Sequence, residues 1–373
     1  MIRIAHVLDA TTTWETRVAL LQLADRLPRD RFAQAWIAID PLPNEISHGF
    51  DCPVARCPRR LGLALSAAPA LSRALRTFRA DVVHAWGVDA ASVAAAASGV
   101  PLLVTLFDPE TSRSGARLLR TLDHRRSIGV ACSAETVRRR LIEGGLRPDA
   151  SVVIRPGVDF SRVNAARRGG LRERLGCQAR DFVITLPAPP TRAGGHLDAA
   201  FAAMLVGRLT GDVRVIVPGV SRERDRMERF TRRLPGTTPP IFTGDDVPME
   251  RLIAVSDALI VAARGDVSTT AVAWAMAAGA VVIGAADYAL AELIATRLNG
   301  LLFKQSPGRR AVVQIAKLLR DRDAQLRVRE IARGHAYEVF SVRRFADQHV
   351  QCYQNMLGGL PVGNGISDAA KTG

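Results

Sequence analysis

Two short stretches of the sequence carry groups that could hold an anionic ligand. Ser268-Thr269-Thr270 precedes an apolar, alanine-rich run, so these residues are expected at the start of a helix. Free backbone N–H groups, the helix dipole and the hydroxyls would favour a phosphate there. Capping of the helix by Ser268 or Thr269 explains the same residues without a ligand, and the two interpretations are compatible.

The second stretch is the segment Pro187–His196, which contains Arg192 and the pair Gly194-Gly195. Arg192 could bind a phosphate, helped by backbone N–H groups of the turn and by His196 as a second cation when it is protonated. An ordinary solvated arginine on a turn is an equally good interpretation, because isolated loop arginines are usually exposed.

The elements that would position these groups alternate along the chain. Short β-branched runs alternate with amphipathic helical runs, which predicts βαβ units and parallel sheets. The 373 residues are too many for one ordinary core, and 48% hydrophobic residues allow each half its own. We therefore expect two doubly wound α/β domains with a shared ligand site between them, at the carboxyl ends of the strands.

Turn residues and changes in composition along the sequence predict where these domains end. We expect an N-terminal domain over residues 1–160, a second domain over 161–340, and a helix over 341–357 that returns to the first domain. The polar, arginine-rich stretch Asn164–Gly176 is the expected linker. The glycine-rich tail 358–373 is expected to be disordered.

The charge balance is strongly basic, with 51 Lys+Arg against 36 Asp+Glu and a net charge of +15. Most of these arginines fit a generally arginine-rich composition, and an anionic partner is the alternative. Arginines crowd residues 113–126 and 222–233, yet no aromatic interleaving or RNA-binding motif accompanies them, so nucleic acid is disfavoured. The basic face of 113–126 better suits an anionic membrane surface.

The remaining composition points to a cytoplasmic protein. The five cysteines include no CxxC pair, so neither a zinc site nor a disulfide framework is expected. The N-terminal apolar run reads as a buried strand rather than a signal peptide, and no run reaches the ~20 residues of a membrane span.

Six separate segments, in order, resemble the family 4 retaining glycosyltransferases of GT-B fold, over roughly residues 1–357. They are Asp81-Val-Val-His-Ala-Trp-Gly87, Gly99-Val-Pro-Leu-Leu-Val-Thr105, Ala131-Cys-Ser133, Ile154-Arg-Pro-Gly-Val-Asp159, Ala275-Met-Ala-Ala-Gly-Ala-Val-Val-Ile283, and Glu292-Leu-Ile with Asn299-Gly-Leu-Leu302. The linker and the Ala-Met-Ala-Ala-Gly segment are the most specific of these.

The resemblance implies the GT-B fold and retaining hexosyl transfer from a nucleotide-sugar to an envelope glycan, lipid or small-molecule acceptor. It implies no metal or other cofactor. By the same resemblance, Asp266 stands at a catalytic carboxylate position that meets the sugar. The implied donor-binding residues are Arg192, Gly195, Ser268, Thr269, Thr270 and Glu292.

The sequence departs from the family pattern at three of these functional positions. Gly194 stands where the family has a phosphate-binding Lys, Phe107 where it has a His near the sugar, and Trp274 where it has a ribose-binding Glu. Trp274 cannot accept a hydrogen bond, so it would stack on a ring or fill a core gap. Two hypotheses follow: an active transferase with an altered donor pocket, or an inactive relative that binds or assembles. The sequence leaves the sugar, the base, the acceptor and the oligomeric state open.

Overall fold

The computed structural model describes residues 1–9, 13–40, 54–59, 63–107, 113–125, 128–188, 190–191, 194–261, 268–286, 288–303 and 309–367. The chain divides into two compact units, one of Met1–Gly157 with Val342–Gly373 and one of Val158–Ser341. Each unit is built on a parallel sheet with helices, which confirms the expected Rossmann-like architecture.

The first sheet has the strand order β3-β2-β1-β4-β5-β6-β7. Its strands are β1 Ile2–Leu8, β2 Phe32–Ala38, β3 Val54–Arg56, β4 Val82–Trp86, β5 Leu102–Leu106, β6 Ile128–Cys132 and β7 Ser151–Val153. The chain moves outward from β1 to β3 and then returns to the other side of β1 as β4, so the order reverses between β1 and β4. The helices that follow these strands are α1 Trp14–Arg26, α2 Ala68–Phe78, α3 Val88–Ala97, α4 Arg113–Arg125 and α5 Glu135–Glu143.

The second sheet has the order β10-β9-β8-β11-β12-β13, which reverses between β8 and β11. Its strands are β8 Phe182–Thr185, β9 Val213–Val217, β10 Ile241–Phe242, β11 Ala258–Val261, β12 Val281–Ala285 and β13 Gly300–Phe303. The helices of this unit are α6 Phe160–Arg168, α7 Leu171–Arg174, α8 His196–Thr210, α9 Arg222–Thr231, α10 Met249–Ala254, α11 Thr269–Ala278, α12 Tyr288–Ala291, α13 Arg309–Arg320 and α14 Arg322–Val339.

Burial on both faces explains why the central strands read as continuous apolar runs. Every residue of β4 and of β11 is buried, as expected for parallel strands covered by helices. Helix α11 is buried over its whole length. Its alanines allow neighbouring backbones to approach closely, and a helix that is apolar on all sides belongs inside a core.

The predicted linker over Asn164–Gly176 is wrong. This stretch lies mostly in α6 and α7, which belong to the second unit. Asp159 caps α6, because its Oδ1 accepts from the N–H of Ser161 at 2.9 Å. Val163 is fully buried and Leu171 nearly so. A few buried apolar residues thus anchor two helices whose other residues are mostly polar. The overall composition of the stretch does not reveal these residues.

The last helix, α15 Val342–Leu357, belongs to the first unit. The expected disorder of the tail is wrong for residues 358–367. Val362 is 3% exposed and packs in the same core as Met356. Asn355 donates through Nδ2 to the carbonyls of Val362, at 3.1 Å, and Asn364, at 2.9 Å. These hydrogen bonds and one buried valine fix a segment whose glycines suggested disorder.

A buried polar network joins α15 to the first sheet. His84 Nδ1 lies 2.7 Å from the Tyr353 hydroxyl and its Nε2 lies 2.7 Å from Thr105 Oγ1. His349 Nε2 lies 3.4 Å from Thr105 Oγ1, and His349 donates through Nδ1 to the Phe345 carbonyl at 2.8 Å. One proton arrangement satisfies all four contacts: Tyr353 donates to His84, His84 to Thr105, and Thr105 to His349.

A third histidine, His6 on β1, lies beside this network. The Trp86 indole N–H donates to His6 Nδ1 at 3.2 Å, so His6 Nε2 carries the proton and donates to Gln34 Oε1 at 3.2 Å. Burial lowers the pKa of His6 to about 3. It also lowers the pKa of His349 to about 4 and that of His84 well below its ordinary value. All three rings are therefore neutral at pH 7.

Candidate functional site at the carboxyl edge of the second sheet

The reversal of strand order between β8 and β11 defines a site within the second unit. In a doubly wound sheet, the connections after the two central strands leave in opposite directions and open a crevice at their carboxyl ends. Here β8, β11 and β12 are neighbours. Gly195 follows β8, Ser268–Thr270 follow β11 and Glu292 follows β12. The fold thus places these predicted donor-binding residues at one edge; Arg192 and Asp266 lie outside the described residues.

The connection after β8 is held by a buried histidine. The N–H of Thr191 donates to His196 Nδ1 at 3.2 Å, so the proton lies on Nε2, which donates to the Pro187 carbonyl at 3.1 Å. His196 is 7% exposed. Ser221 ties the same connection to the residues after β9, because its hydroxyl donates to the Pro190 carbonyl at 2.7 Å. Both nitrogens of His196 are committed to the backbone, so the structure gives no support to a role for this side chain as a phosphate-binding cation.

Gly194 lies in the tight part of this turn. Its N–H donates to Thr191 Oγ1 at 3.0 Å. A Cβ at this position would lie 2.5 Å from the His196 ring and 2.8 Å from Thr191 Oγ1. A lysine here would have to displace the histidine that closes the turn. The glycine at position 194 and the position of the His196 ring therefore depend on each other.

Gly195 begins α8 in the left-handed region, with φ 62°. Glycine adopts this conformation without steric strain, so it can turn the chain from the closed loop directly into the helix. Because α8 follows β8, its first turn lies at the carboxyl edge of the sheet, and the N–H groups at the start of a helix favour an anion.

The start of α11 is both capped and incompletely satisfied. Ser268 is the N-cap, and its hydroxyl accepts from the Ala271 N–H at 3.2 Å, as the capping interpretation predicts. Thr269 and Thr270 are 2% and 1% exposed. Neither hydroxyl has a hydrogen-bond partner among the residues that the structure describes. A buried hydroxyl without a partner is unfavourable by about 1–3 kcal/mol, which makes this pair unusual.

Trp274 is 2% exposed and lies within the fully buried helix α11. Within the described parts of the chain, its indole N–H has no hydrogen-bond partner. Burial of this kind matches the core-filling interpretation rather than a ring presented to a ligand. Glu292 is half-buried and directly follows α12, in the connection between β12 and β13.

Phe107 lies in the first unit, at the carboxyl end of β5. It is 3% exposed and stacks on Trp86, with ring centroids 6.3 Å apart and planes 11° apart. The ring centroid of Phe345, on α15, lies 6.0 Å from that of Phe107. Phe107, at the family's histidine position, is thus part of an aromatic core, and the phenylalanine side chain has no polar atom.

Sequence reasoning missed a carboxylate at the strand reversal of the first sheet. Asp9 directly follows β1 and is 1% exposed. Its Oδ2 accepts from the Ala90 N–H at 3.0 Å, in the first turn of α3. An aspartate directly after a buried strand was the available signal. The carboxylate thus supplies a negative charge to the N-terminal turn of α3, where it interacts favourably with the helix dipole.

No group of three His, Cys, Asp or Glu side chains among the described residues is arranged to hold a metal ion. None of the helices in the described part of the chain is long and apolar enough to cross a membrane.

The two Rossmann-like units have the fold class of GT-B structures. Residues 17–162 match the model of Glycosyltransferase Family 4, which places that domain in the N-terminal part of the chain. No curated protein sequence matches the chain.

Solved structures support the same fold over nearly the whole chain. HepE of Anabaena, in complex with UDP and glucose, has a TM-score of 0.78 and 21% identity, covering 95% of this chain and 100% of its own. A glycosyltransferase from Rickettsia africae has a TM-score of 0.76 and 17% identity, covering 95% and 98%. A putative UDP-N-acetylglucosamine 2-epimerase from Listeria monocytogenes has a TM-score of 0.69 and 10% identity, covering 96% and 97%. The fold therefore accommodates more than one chemistry.

Proposed function

We propose that this protein binds a nucleotide-sugar at the carboxyl edge of its second sheet and transfers the sugar, with retention, to an envelope glycan, lipid or small-molecule acceptor. The observation that carries the proposal is the start of α11. Two buried, unpartnered hydroxyls, of Thr269 and Thr270, stand there at the strand reversal. The complex of HepE with UDP and glucose makes a UDP-sugar the first donor to test.

The proposed roles follow from the chemistry of a leaving diphosphate. Negative charge develops on the phosphates during transfer, so fixed N–H donors and cations stabilise the transition state. The first turns of α8 and α11 would supply N–H groups, and Arg192 would supply the cation. The Thr269 and Thr270 hydroxyls would donate to the donor on binding. Asp266 would accept from sugar hydroxyls and Glu292 from the sugar or nucleotide.

The replaced positions set what this site must do differently. Without a lysine at Gly194 and a histidine at Phe107, the diphosphate and the sugar each lose one polar partner. Loss of one such partner is typically worth about 3–4 kcal/mol of transition-state stabilisation. We therefore expect slow turnover, with Arg192 carrying more of the charge stabilisation than an arginine helped by a lysine would.

The test is calorimetry and turnover with UDP-, GDP- and ADP-sugars. We expect heat on titration of one donor class and release of its nucleotide when an acceptor is added. Arg192→Ala and Asp266→Asn should each lower nucleotide release at least tenfold, whereas Arg180→Ala should not, because Arg180 is exposed and pairs with Asp212. Heat without nucleotide release from any donor and acceptor pair would identify a binding protein that has lost transfer.

We also propose that the protein is peripheral to an anionic membrane, through the basic face of α4. Arg117 and Arg120 are exposed on α4, whereas Leu119 on its other side is fully buried. Arginines on one face of an amphipathic helix are attracted to anionic headgroups. The test is co-sedimentation with vesicles of phosphatidylcholine alone or with phosphatidylserine, at low and high salt.

Salt-sensitive pelleting with the phosphatidylserine vesicles only is expected. Arg117→Glu/Arg120→Glu should abolish it. The matched control is Arg229→Glu/Arg233→Glu, which makes the same charge change at exposed positions around α9. Equal losses in both variants would indicate attraction by net charge and overturn a specific role for α4.

A further inference from the structure

A cavity of about 430 Å³ opens on the first unit, between the C-terminal ends of α2 and α3. The residues there directly precede β4 and β5, so the cavity lies at the amino-terminal edge of the first sheet. Phe107 and Asp9 lie at the opposite, carboxyl edge. Within the first unit, the cavity is therefore at the opposite edge of the sheet from Phe107 and Asp9, and its volume falls in the range of small-molecule sites.

The lining of the cavity combines two guanidinium groups with hydroxyls and an apolar wall. Arg76 and Arg79 line it together with Ser72, Ser98, Leu75 and Val100. The Arg76 Nη1 donates to Ser72 Oγ at 2.9 Å. None of the lining residues that the structure describes is Asp or Glu. Guanidinium groups bind phosphate and carboxylate through paired hydrogen bonds, and no acidic residue of this described lining competes for them.

The backbone at Arg79 is an independent sign that the guanidinium serves a purpose. Arg79 ends α2 in the left-handed region, with φ 57°. The N–H of Ala80 donates to the Leu75 carbonyl at 3.1 Å, which completes the hydrogen-bonded helix end that normally carries glycine at this position. An arginine adopts this conformation with strain, whereas a glycine adopts it freely. The helix would end at least as well with glycine.

We propose that this cavity binds a small organic anion. Its phosphate or carboxylate pairs with Arg76 and Arg79, and its apolar part packs on Leu75 and Val100. The carboxyl ends of α2 and α3 carry partial negative charge, so the arginines alone would supply the attraction for the anion. The competing explanation is that both arginines only neutralise these helix ends.

The two explanations differ at Arg79→Gly. If Arg79 serves the ligand, glycine removes the binding group and also relieves the backbone strain. The variant should then have a Tm raised by about 2 °C and an affinity lowered about tenfold or more. If Arg79 only neutralises the helix end, the wild type should not bind the anionic probes at all.

Binding is measured by calorimetry on the full chain, with four probes: phenyl phosphate, benzoate, phenol and inorganic phosphate. We expect phenyl phosphate or benzoate to bind, inorganic phosphate to bind more weakly, and phenol not to bind. The stronger of the two organic anions tells whether the site prefers phosphate or carboxylate. Absence of heat with both up to 10 mM, a concentration well above a typical ~1 mM limit for weak sites, would overturn the proposal.

Two further variants separate binding in the cavity from general attraction by charge. Arg73→Ala removes an exposed arginine of the same helix that does not line the cavity. It should leave the affinity unchanged. Gly99→Trp adds bulk at the cavity wall, where a Cβ would meet no atom within 4 Å. It should weaken binding while the chain stays folded. Equal affinities in wild type, Arg79→Gly and Gly99→Trp would place the anion elsewhere and reject the site.

Discussion

At the residue scale, the proposed donor site is defined as much by what is buried as by what is charged. Phe107 and Trp274 occupy positions where the family pattern has polar groups, and both are buried. The sequence predicted these replacements and the helix cap at Ser268. It could not predict that His196 would close the turn around Gly194, because that contact depends on the backbone path of a loop. The orphaned hydroxyls likewise depend on packing around α11.

The threonine pair at α11 gives a prediction in which stability and binding change in opposite directions. Replacing an unpartnered buried hydroxyl by a methyl group removes a desolvation penalty. Thr270→Val should therefore raise the free energy of unfolding by about 1 kcal/mol and lower the affinity for the nucleotide-sugar. Thermal denaturation and donor calorimetry measure the two effects.

The control is Thr210→Val on α8, whose hydroxyl already donates to the Val206 carbonyl at 2.9 Å. It should leave donor binding unchanged. If Thr270→Val is more stable and binds the donor as tightly as the wild type, its hydroxyl has no role in the site.

At the element scale, what holds α15 to the first sheet could not be foreseen from its sequence. The helix itself was predicted, but its partners lie far away along the chain, as with Tyr353 and His84. Histidines scattered over two strands and a helix give no local signal of a shared network. The ordering of residues 358–367 was missed for the same reason, since it depends on Val362 reaching a distant core.

The buried histidines predict that the first unit loses stability in mild acid. Their pKa values are lowered on folding, from 6.5 to about 3 for His6 and from 6.5 to about 4 for His349. Protons therefore bind preferentially to the unfolded chain as the pH falls below 6.5. The neutral histidines contribute fully to the free energy of unfolding above pH 6.5. This contribution falls as the pH decreases towards the folded-state pKa values, and the loss reaches about 2 kcal/mol per histidine by pH 5.

Urea unfolding followed by hydrogen exchange at pH 7 and pH 5 measures this effect. Peptides from β1 and β4 should lose protection at lower urea at pH 5, and peptides from β11 in the second unit provide the internal comparison. His349→Gln should reduce the pH sensitivity. Equal urea midpoints for β4 at the two pH values would contradict the expected pKa shifts.

The tail gives a prediction with a matched pair of variants. Val362→Ala removes buried methyl groups from the core shared with Met356, so the free energy of unfolding should fall by about 2 kcal/mol. Leu360→Ala is the control, because Leu360 is 50% exposed, and it should change stability by less than about 0.5 kcal/mol. Equal effects of the two substitutions, measured by urea denaturation, would mean that Val362 does not anchor the tail.

At the scale of the whole molecule, the alternation of strands and helices was enough to predict two doubly wound sheets, and ordered motifs predicted the GT-B class. The boundary between the units was harder, because the arginine-rich stretch around α6 and α7 looks like a linker in composition. Its few buried residues, such as Val163, decide otherwise. The substrate is not determined by the fold, which is shared by HepE and by a putative epimerase.

The carboxyl edge of the second sheet is the proposed site of nucleotide-sugar binding and transfer. The most direct measurement is nucleotide release from UDP-glucose and a panel of other nucleotide-sugars, with acceptor, for the wild type and for Arg192→Ala. We predict measurable release by the wild type from at least one donor and a loss of at least about tenfold in the variant. No binding heat and no nucleotide release across the panel would contradict nucleotide-sugar binding and transfer at this edge.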